Sequence, residues 1–336
     1  MAGSVRVLVS TAWLARQLVA KNSTVKVIDA SFNMPAWNRD ALQEYEASHI
    51  PTATFFDVDK IKDETSDLPH MLPPANVFQE AMRDRGIYNN DHVVIYDCSD
   101  FGIFSAPRLW WMFRMFGHDR VSVLNGGFTA WTKEERPVES APLKLPVEPR
   151  SDYVVQDEKT ELVRTRQDVL DNLAHKKEHV LDARSRESWN TPIHSHTNIH
   201  THTHLHMPTL MHCAAVCARF NGTAPEPRPG LSSGHVPGST CLPFTDFLAD
   251  KRMKERGELE TIFKVADTDL QSRRCIASCG SGVSACVIAM AAHIVTAPLD
   301  PEGGALNHDQ VMPIYDGAWT EWASSGCPIE KHQDAQ

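Results

Sequence analysis

No apolar run in this sequence approaches the ~20 residues of a membrane-spanning helix, which excludes that class of membrane protein. A surplus of basic charge is missing too. The 336 residues carry 33 Lys and Arg against 43 Asp and Glu, a formal charge of −10, so the broad cationic face that nucleic acid needs is absent. Cysteine occurs eight times but never in a paired spacing. In a chain of this length that predicts reduced thiols in a reducing compartment rather than a disulfide framework. What is present is an ordinary globular composition, 42% apolar and 23% charged, with enough chain for two cores.

No acidic residue precedes Asp29, and Arg6, Arg16 and Lys21 give the first segment a weak likeness to a mitochondrial presequence. The same stretch reads as a strand at 5–9, an N-cap at Ser10 and a helix from Thr11, and this reading is preferred because the fold needs those elements. A cytoplasmic and/or mitochondrial location is expected. Further on, short β-branched runs alternate with helical stretches, with strands at 25–29, 54–58, 92–97 and 121–124 and helices at 39–47, 76–86, 106–116 and 129–135. That alternation predicts an α/β fold, a mainly parallel sheet flanked by helices. Trp110, Trp111, Phe113 and Phe116 are expected in its core.

Pro137, Pro142, Pro146 and Pro149 mark a linker at 139–152. Beyond it the landmarks of the first half return. Asp29-Ala30-Ser31 recurs as Asp182-Ala183-Arg184, His49-Ile50-Pro51 as His235-Val236-Pro237, and Asn125-Gly126-Gly127 with Trp131 as Asp316-Gly317-Ala318 with Trp322. The chain reads as a duplication, with domains at 1–138 and 153–330. Asp97 in the first falls opposite Cys279 in the second, 182 residues later.

The loop Cys279-Gly280-Ser281-Gly282-Val283-Ser284 lies between an apolar strand at 275–278 and an apolar helix from 285. Buried free cysteines usually act as small hydrophobes. Here, however, two glycines let successive N–H groups converge at a helix N-terminus, and such a nest favours an anion: the Cys279 thiolate or a persulfide on it. Cysteine phosphatases use a similar strand, loop and helix, but the arginine that grips phosphate has no counterpart at Ala285 or Cys286.

This loop, with a duplication that extends over nearly the whole chain, resembles the tandem-domain rhodanese superfamily in its 3-mercaptopyruvate sulfurtransferase form, with Ser284 in place of the usual threonine. The resemblance implies two tandem rhodanese-like domains, the first chemically silent because Asp97 replaces the cysteine. It implies that Arg219 and Arg228, flanking Phe220-Asn221-Gly222-Thr223-Ala224-Pro225-Glu226-Pro227, hold the substrate's carboxylate and carbonyl, a task suited to a planar, permanently charged fork. Gly280, Gly282, Val283 and Ser284 would complete the substrate site. Ser281, His70 and Asp59 would form a proton relay beside the nucleophile Cys279. Sulfur would pass from mercaptopyruvate to Cys279 and on to a thiol acceptor such as thioredoxin, or to cyanide, with release of pyruvate and, from a dithiol, hydrogen sulfide. No metal or organic cofactor is implied, nor a nucleic-acid or membrane partner, and a monomer or weak homodimer is expected. Thiosulfate sulfurtransferase is the alternative, although its members carry a basic pair where Gly280 and Ser281 stand.

Between Asp182-Ala183-Arg184 and His235-Val236-Pro237 the repeat offset rises by 33 residues. The arginine loop accounts for part. The rest, 187–218, is unexpected and holds seven histidines between His194 and His212, many alternating with threonine. Such low complexity has no means of building a core, so disorder is expected there. Arg219 would then be anchored on one side only, which opens the alternative of an isoform with impaired activity. Zinc or nickel could meet these histidines with Cys213 and Cys217, but a defined site needs fixed spacing and folded supports, and no metal site is expected.

Overall fold

The computed structural model describes residues 5–147, 150–184, 217–308 and 311–331. The insert expected at 187–218 lies outside the described residues apart from Cys217 and Ala218.

The first sheet comprises β1 (Leu8–Val9), β2 (Val25–Asp29), β3 (Thr54–Phe55), β4 (His92–Tyr96) and β5 (Val121–Leu124) in the order β1-β5-β4-β2-β3. Every neighbouring pair is parallel. Helices α1 (Thr11–Val19), α2 (Ala41–Ala47), α3 (Ala75–Asp84), α4 (Ala106–Met115) and α5 (Gly127–Lys133) cover it. The basic N-terminal segment is thus part of the sheet, and Ser10 caps α1 by accepting the Trp13 amide at 3.1 Å. Two predicted elements are shorter than expected, for local reasons. Asp40 caps α2 through the Gln43 amide at 3.0 Å, so the helix cannot begin at residue 39. Asp57 turns the chain out of β3 by accepting the Asp59 amide at 3.0 Å.

A second sheet repeats the first. It comprises β6 (Val163–Arg164), β7 (Glu178–Asp182), β8 (Thr240–Cys241), β11 (Arg274–Ser278) and β12 (Ile314–Tyr315) in the order β6-β12-β11-β7-β8, again parallel throughout. A hairpin of β9 (Leu248–Ala249) and β10 (Arg252–Met253) lies between β8 and β11. The helices here are α6 (Arg166–His175), α7 (Ala218–Asn221), α8 (Arg256–Val265), α9 (Ala285–Thr296) and α10 (Ala318–Ser324).

The duplication extends to single side chains. His49 exchanges both backbone hydrogen bonds with Glu139, as His235 does with Glu330, all at 2.9 Å. His49 stacks on Tyr45 and His235 on Phe220, each with Nδ1 2.7 Å from that partner's carbonyl oxygen. Trp131 donates to the Pro137 carbonyl and Trp322 to that of Pro328, both at 2.8 Å. Phe220 therefore occupies the place of Tyr45, and α7 is the shortened counterpart of the end of α2.

Helices α4 and α9 pack against each other and join both domains in one hydrophobic core. Trp110, Trp111, Phe113 and Phe116 lie in it, as expected. From Ala285 to Val295 every residue of α9 is buried, as in a helix with no solvent face. The linker is strapped to the first domain: Glu139 pairs with His49, and the amides of Val147 and Ser151 donate to the carbonyls of Asp84 and Arg83.

The cysteines depart from expectation. Cys217 and Cys241 form a disulfide, with Cα atoms 6.9 Å apart, because α7 returns alongside β8 although 24 residues separate the two in sequence. Cys217 and Ala218 are consequently ordered and buried or half-buried, so the N-terminal side of Arg219 is tied to the sheet rather than loose.

Candidate active site

Strand β11 ends at Ser278, Cys279 follows with 2% of its surface exposed, and α9 begins six residues after it. The carbonyls of Cys279 and Gly280 accept the amides of Trp319 and Thr320 at 2.9 and 3.0 Å, so the start of α10 holds one edge of the loop. Among the described residues, the amides of Ser281, Gly282, Val283 and Ser284 meet no acceptor. Free N–H groups at the start of a twelve-residue helix make a surrounding suited to an anion.

The two loop glycines answer different needs. At Gly282, φ is +80° and a Cβ would lie 2.9 Å from the Asp316 carbonyl oxygen, so the turn itself demands glycine. A Cβ at Gly280 would fall 2.9 Å from Nη2 of Arg228, whose guanidinium covers this residue. Space for Arg228 is what the small residue at 280 provides.

Above the loop a cavity of about 450 Å³ opens between the domains. It gathers nearly all the expected site residues: Cys279, Gly280, Ser281, Val283, Ser284, Arg219 and Arg228 from the second domain, and Asp59 and His70 from the first. Gly282 does not line it, because its backbone faces Arg108 and Asp316 below the loop. Phe32, Met34 and Phe104 supply an apolar wall from the first domain.

Two residues of this arginine cluster were not anticipated: Arg184, which lines the cavity, and Glu226, which does not. The Glu226 side chain is fully buried and accepts from Arg228 Nη1 at 2.7 Å, with Arg184 Nη1 3.9 Å from its other oxygen. Arg184 is itself paired with Asp182 at 2.7 Å. Three guanidiniums, of Arg184, Arg219 and Arg228, thus stand against two carboxylates, leaving one net positive charge beside Cys279. Burial lowers the pKa of Arg219, opposed by Glu226 and reinforced by the neighbouring arginines. An anionic ligand would relieve that strain on the cation. The repeat holds a signal for Arg184: it is the residue at which Asp-Ala-Ser in the first domain becomes Asp-Ala-Arg in the second.

On the opposite side His70 Nδ1 lies 2.8 Å from Asp59 Oδ1. Burial tends to raise the Asp59 carboxyl, but His70 outweighs it and the pKa is lowered. His70 is 6% exposed, packs edge-on against Phe32 and has φ of +60°. No hydrogen bond joins Ser281 to His70 among the described residues, so the three relay residues share the cavity without forming a connected chain. Arg108 of α4 secures this corner by donating to the His70 carbonyl at 2.5 Å and to the Gly282 carbonyl at 3.3 Å, and by pairing with Asp316 at 2.6 Å. Burial would lower the pKa of Arg108, yet Asp316 and Cys286 raise it overall. Desolvation pushes the thiol of Cys286, the second residue of α9, up to about 12, so it is no competing thiolate. Among the described residues no group of His, Cys, Asp and Glu could hold a metal ion.

A rhodanese-like domain matches residues 10–134 and again residues 165–325. The chain belongs to the rhodanese-like family. Rat 3-mercaptopyruvate sulfurtransferase is 38% identical over 320 residues, covering 94% of this chain and 92% of that protein. The Arabidopsis thaliana thiosulfate/3-mercaptopyruvate sulfurtransferase 1, mitochondrial, is 39% identical over 342 residues, covering 96% of this chain and 78% of its own length. Among solved structures, the 3-mercaptopyruvate sulfotransferase SseA of Escherichia coli superposes with a TM-score of 0.70 at 31% identity, over 94% of this chain and 99% of that one. No helix among the described residues is long and apolar enough to cross a membrane. In this rhodanese-like protein, as in those relatives, the similarity spans both domains.

Proposed function

We propose that this chain is a sulfurtransferase that takes sulfur from 3-mercaptopyruvate onto Cys279 and passes it to a thiol. The observation that carries this reading is the placement of Cys279 at the floor of a cavity walled by Arg184, Arg219 and Arg228. Arg219 and Arg228 bind the carboxylate and carbonyl through charge-assisted hydrogen bonds. The Cys279 thiolate attacks the substrate sulfur. As the new S–S bond forms, the C–S bond breaks and its electron pair leaves on carbon as the pyruvate enolate, stabilised by the same guanidiniums and then protonated. His70, held by Asp59, serves as a proton carrier at this edge. Ser281 lines the same floor. The anionic persulfide on Cys279 rests against the unbonded loop amides. A thiol such as that of thioredoxin then attacks the outer sulfur and regenerates the Cys279 thiolate, and a dithiol acceptor goes on to form its own disulfide and release hydrogen sulfide.

Relatives' names include both mercaptopyruvate and thiosulfate, so identity alone does not choose the donor. Gly280 supports mercaptopyruvate, because the Arg228 guanidinium fills the space that a basic side chain at 280 would take. The chain acts without metal or organic cofactor, in the cytoplasm and/or mitochondria, as a monomer or weak homodimer, with its first domain, 1–138, silent and its second, 153–330, catalytic across the 139–152 linker. A single-turnover reaction with mercaptopyruvate, followed by mass spectrometry, tests the core of the reading. One added sulfur on the Cys279 peptide supports it, and a faster reaction with thiosulfate would favour the other donor.

A further inference from the structure

We infer that Arg184 is a positioning residue of this site, which sets the Arg228 guanidinium over Gly280 by holding Glu226 between them. The inference rests on the proposed function only for the identity of the substrate.

Arg184 is held unusually firmly for an arginine beside a cavity. Its side chain is 4% exposed. Nε lies 3.0 Å from both oxygens of Asp182, and Nη2 donates to Asp182 and to the Gly234 carbonyl, each at 2.7 Å. Its guanidinium lies 4.6 Å from the Trp319 ring and 5.9 Å from that of Phe220, so aromatic faces restrain it as well. The one terminal nitrogen without a hydrogen bond, Nη1, faces Glu226 Oε2, which likewise has none, across 3.9 Å. Both atoms are buried.

Two opposite charges at that distance, cut off from water, attract strongly, and among the described residues neither atom has a hydrogen-bond partner. Glu226 is thereby held with Oε1 toward Arg228 Nη1 at 2.7 Å. Among the described residues the side chain of Arg228, a third exposed, has no other hydrogen-bonded anchor over Gly280, so its place depends on Glu226. The silent domain shows what replaces this device where no substrate is held. Ser31 occupies the Arg184 position, with the same backbone bond to the preceding aspartate at 2.9 Å, but its short hydroxyl accepts the Cys98 amide at 2.8 Å and closes the loop directly.

The test uses two reagents that alkylate the Cys279 thiolate, anionic iodoacetate and neutral iodoacetamide, with the Cys279 peptide followed by mass spectrometry. The rate ratio of the two reads the field of the arginine wall and needs no knowledge of the substrate. Arg228→Gln should lower the ratio several-fold. Arg184→Gln should lower it comparably while leaving the iodoacetamide rate within twofold of wild type, and the double variant should fall no further than Arg228→Gln alone, as expected of residues acting in series. With mercaptopyruvate, Arg184→Gln should raise KM about tenfold with a smaller change in kcat, and Arg184→Lys should restore part of the loss. A ratio unchanged in Arg184→Gln, or losses that multiply in the double variant, overturns the inference. If Arg184→Gln does not fold, Arg184→Lys, which keeps the charge but loses the planar fork, must still lower the ratio in part; an unchanged ratio there overturns the inference equally. Failure of wild-type protein to use mercaptopyruvate would instead count against the proposed function and leave the alkylation result standing.

Discussion

The loops that follow β4 and β11 begin at the same place in the fold and differ in who supplies the anion. After β4, the Asp97 carboxylate accepts the amides of Ser99, Phe104, Ser105 and Ala106 at 2.9–3.1 Å, so the nest is filled by a charge covalently built into the chain. After β11 the loop is three residues shorter, Cys279 replaces the carboxylate, and the loop amides are left without acceptors. One loop is a closed structural knot. The other leaves its amides turned toward the Cys279 side of the loop, an arrangement suited to a negative charge. The first domain's loop is therefore a completed version of the second's, with its electrostatic demand met internally.

The largest expected effect comes from exchanging the residues that make this difference. Cys279→Asp or Cys279→Ser should abolish turnover, since neither oxygen can form a persulfide, whereas Asp97→Cys should gain none, because its loop lacks an arginine wall. Steady-state assays of all three variants check this, and appreciable activity in Cys279→Ser would overturn the mechanism. Next, Arg228→Lys keeps the charge but loses the planar fork. Removing one charge-assisted contact of about 1.5–3 kcal/mol should lower kcat/KM for mercaptopyruvate by roughly tenfold to a hundredfold. Unchanged kinetics would place Arg228 outside the substrate's reach.

A smaller shift is expected from Gly280→Arg with Ser281→Lys. Added positive charge favours dianionic thiosulfate over monoanionic mercaptopyruvate, and any side chain at 280 also displaces Arg228. The ratio of the two specificity constants should move toward thiosulfate by about tenfold or more. If mercaptopyruvate turnover survives intact, neither the Arg228 placement nor a Ser281 relay matters.

The smallest effect concerns the stability of the fold. Burial lowers His92 and His118 of the first domain to about 4, below the usual value near 6.5. Both are protonated in the unfolded chain before the folded one, so the stability they confer is complete above about pH 6.5 and lost as pH falls toward 4. Urea denaturation should show a midpoint lower at pH 5 than at pH 7, by an amount equivalent to about 1–3 kcal/mol in all. His92→Asn should flatten part of this dependence. An unchanged pH dependence in His92→Asn would show that this imidazole is not neutral in the fold.

Much of this was legible before any coordinate. The strand runs at 25–29 and 121–124 coincide with β2 and β5, and the recurring Asp-Ala and His-x-Pro landmarks fall at equivalent points of the two sheets, because hydrophobic period and turn chemistry are local properties. Cys279 stood out for the same reason, between an apolar strand and an apolar helix. Element ends were less legible. They are set by single caps and side-chain turns, such as Asp40 and Asp57, that compete with propensity over one or two residues.

By itself, the sequence determined the duplication and the parallel α/β architecture, since each is written as a local pattern that can be read twice along one chain, and it singled out the Cys279 loop as the place where the two copies differ. Tertiary structure alone decided that Cys217 meets Cys241, that Gly280 is small to admit Arg228, and that Arg184 faces Glu226 beneath the substrate cavity. It alone set Arg108 of the first domain under Gly282 of the second. These contacts join residues between 42 and 174 positions apart in the Arg184–Glu226 and Arg108–Gly282 cases, and 24 and 52 apart for Cys217–Cys241 and Arg228–Gly280. Their energies depend on distance and burial, neither of which a linear pattern encodes, and both of which the packing of α4 against α9 and of the arginine loop against β11 creates.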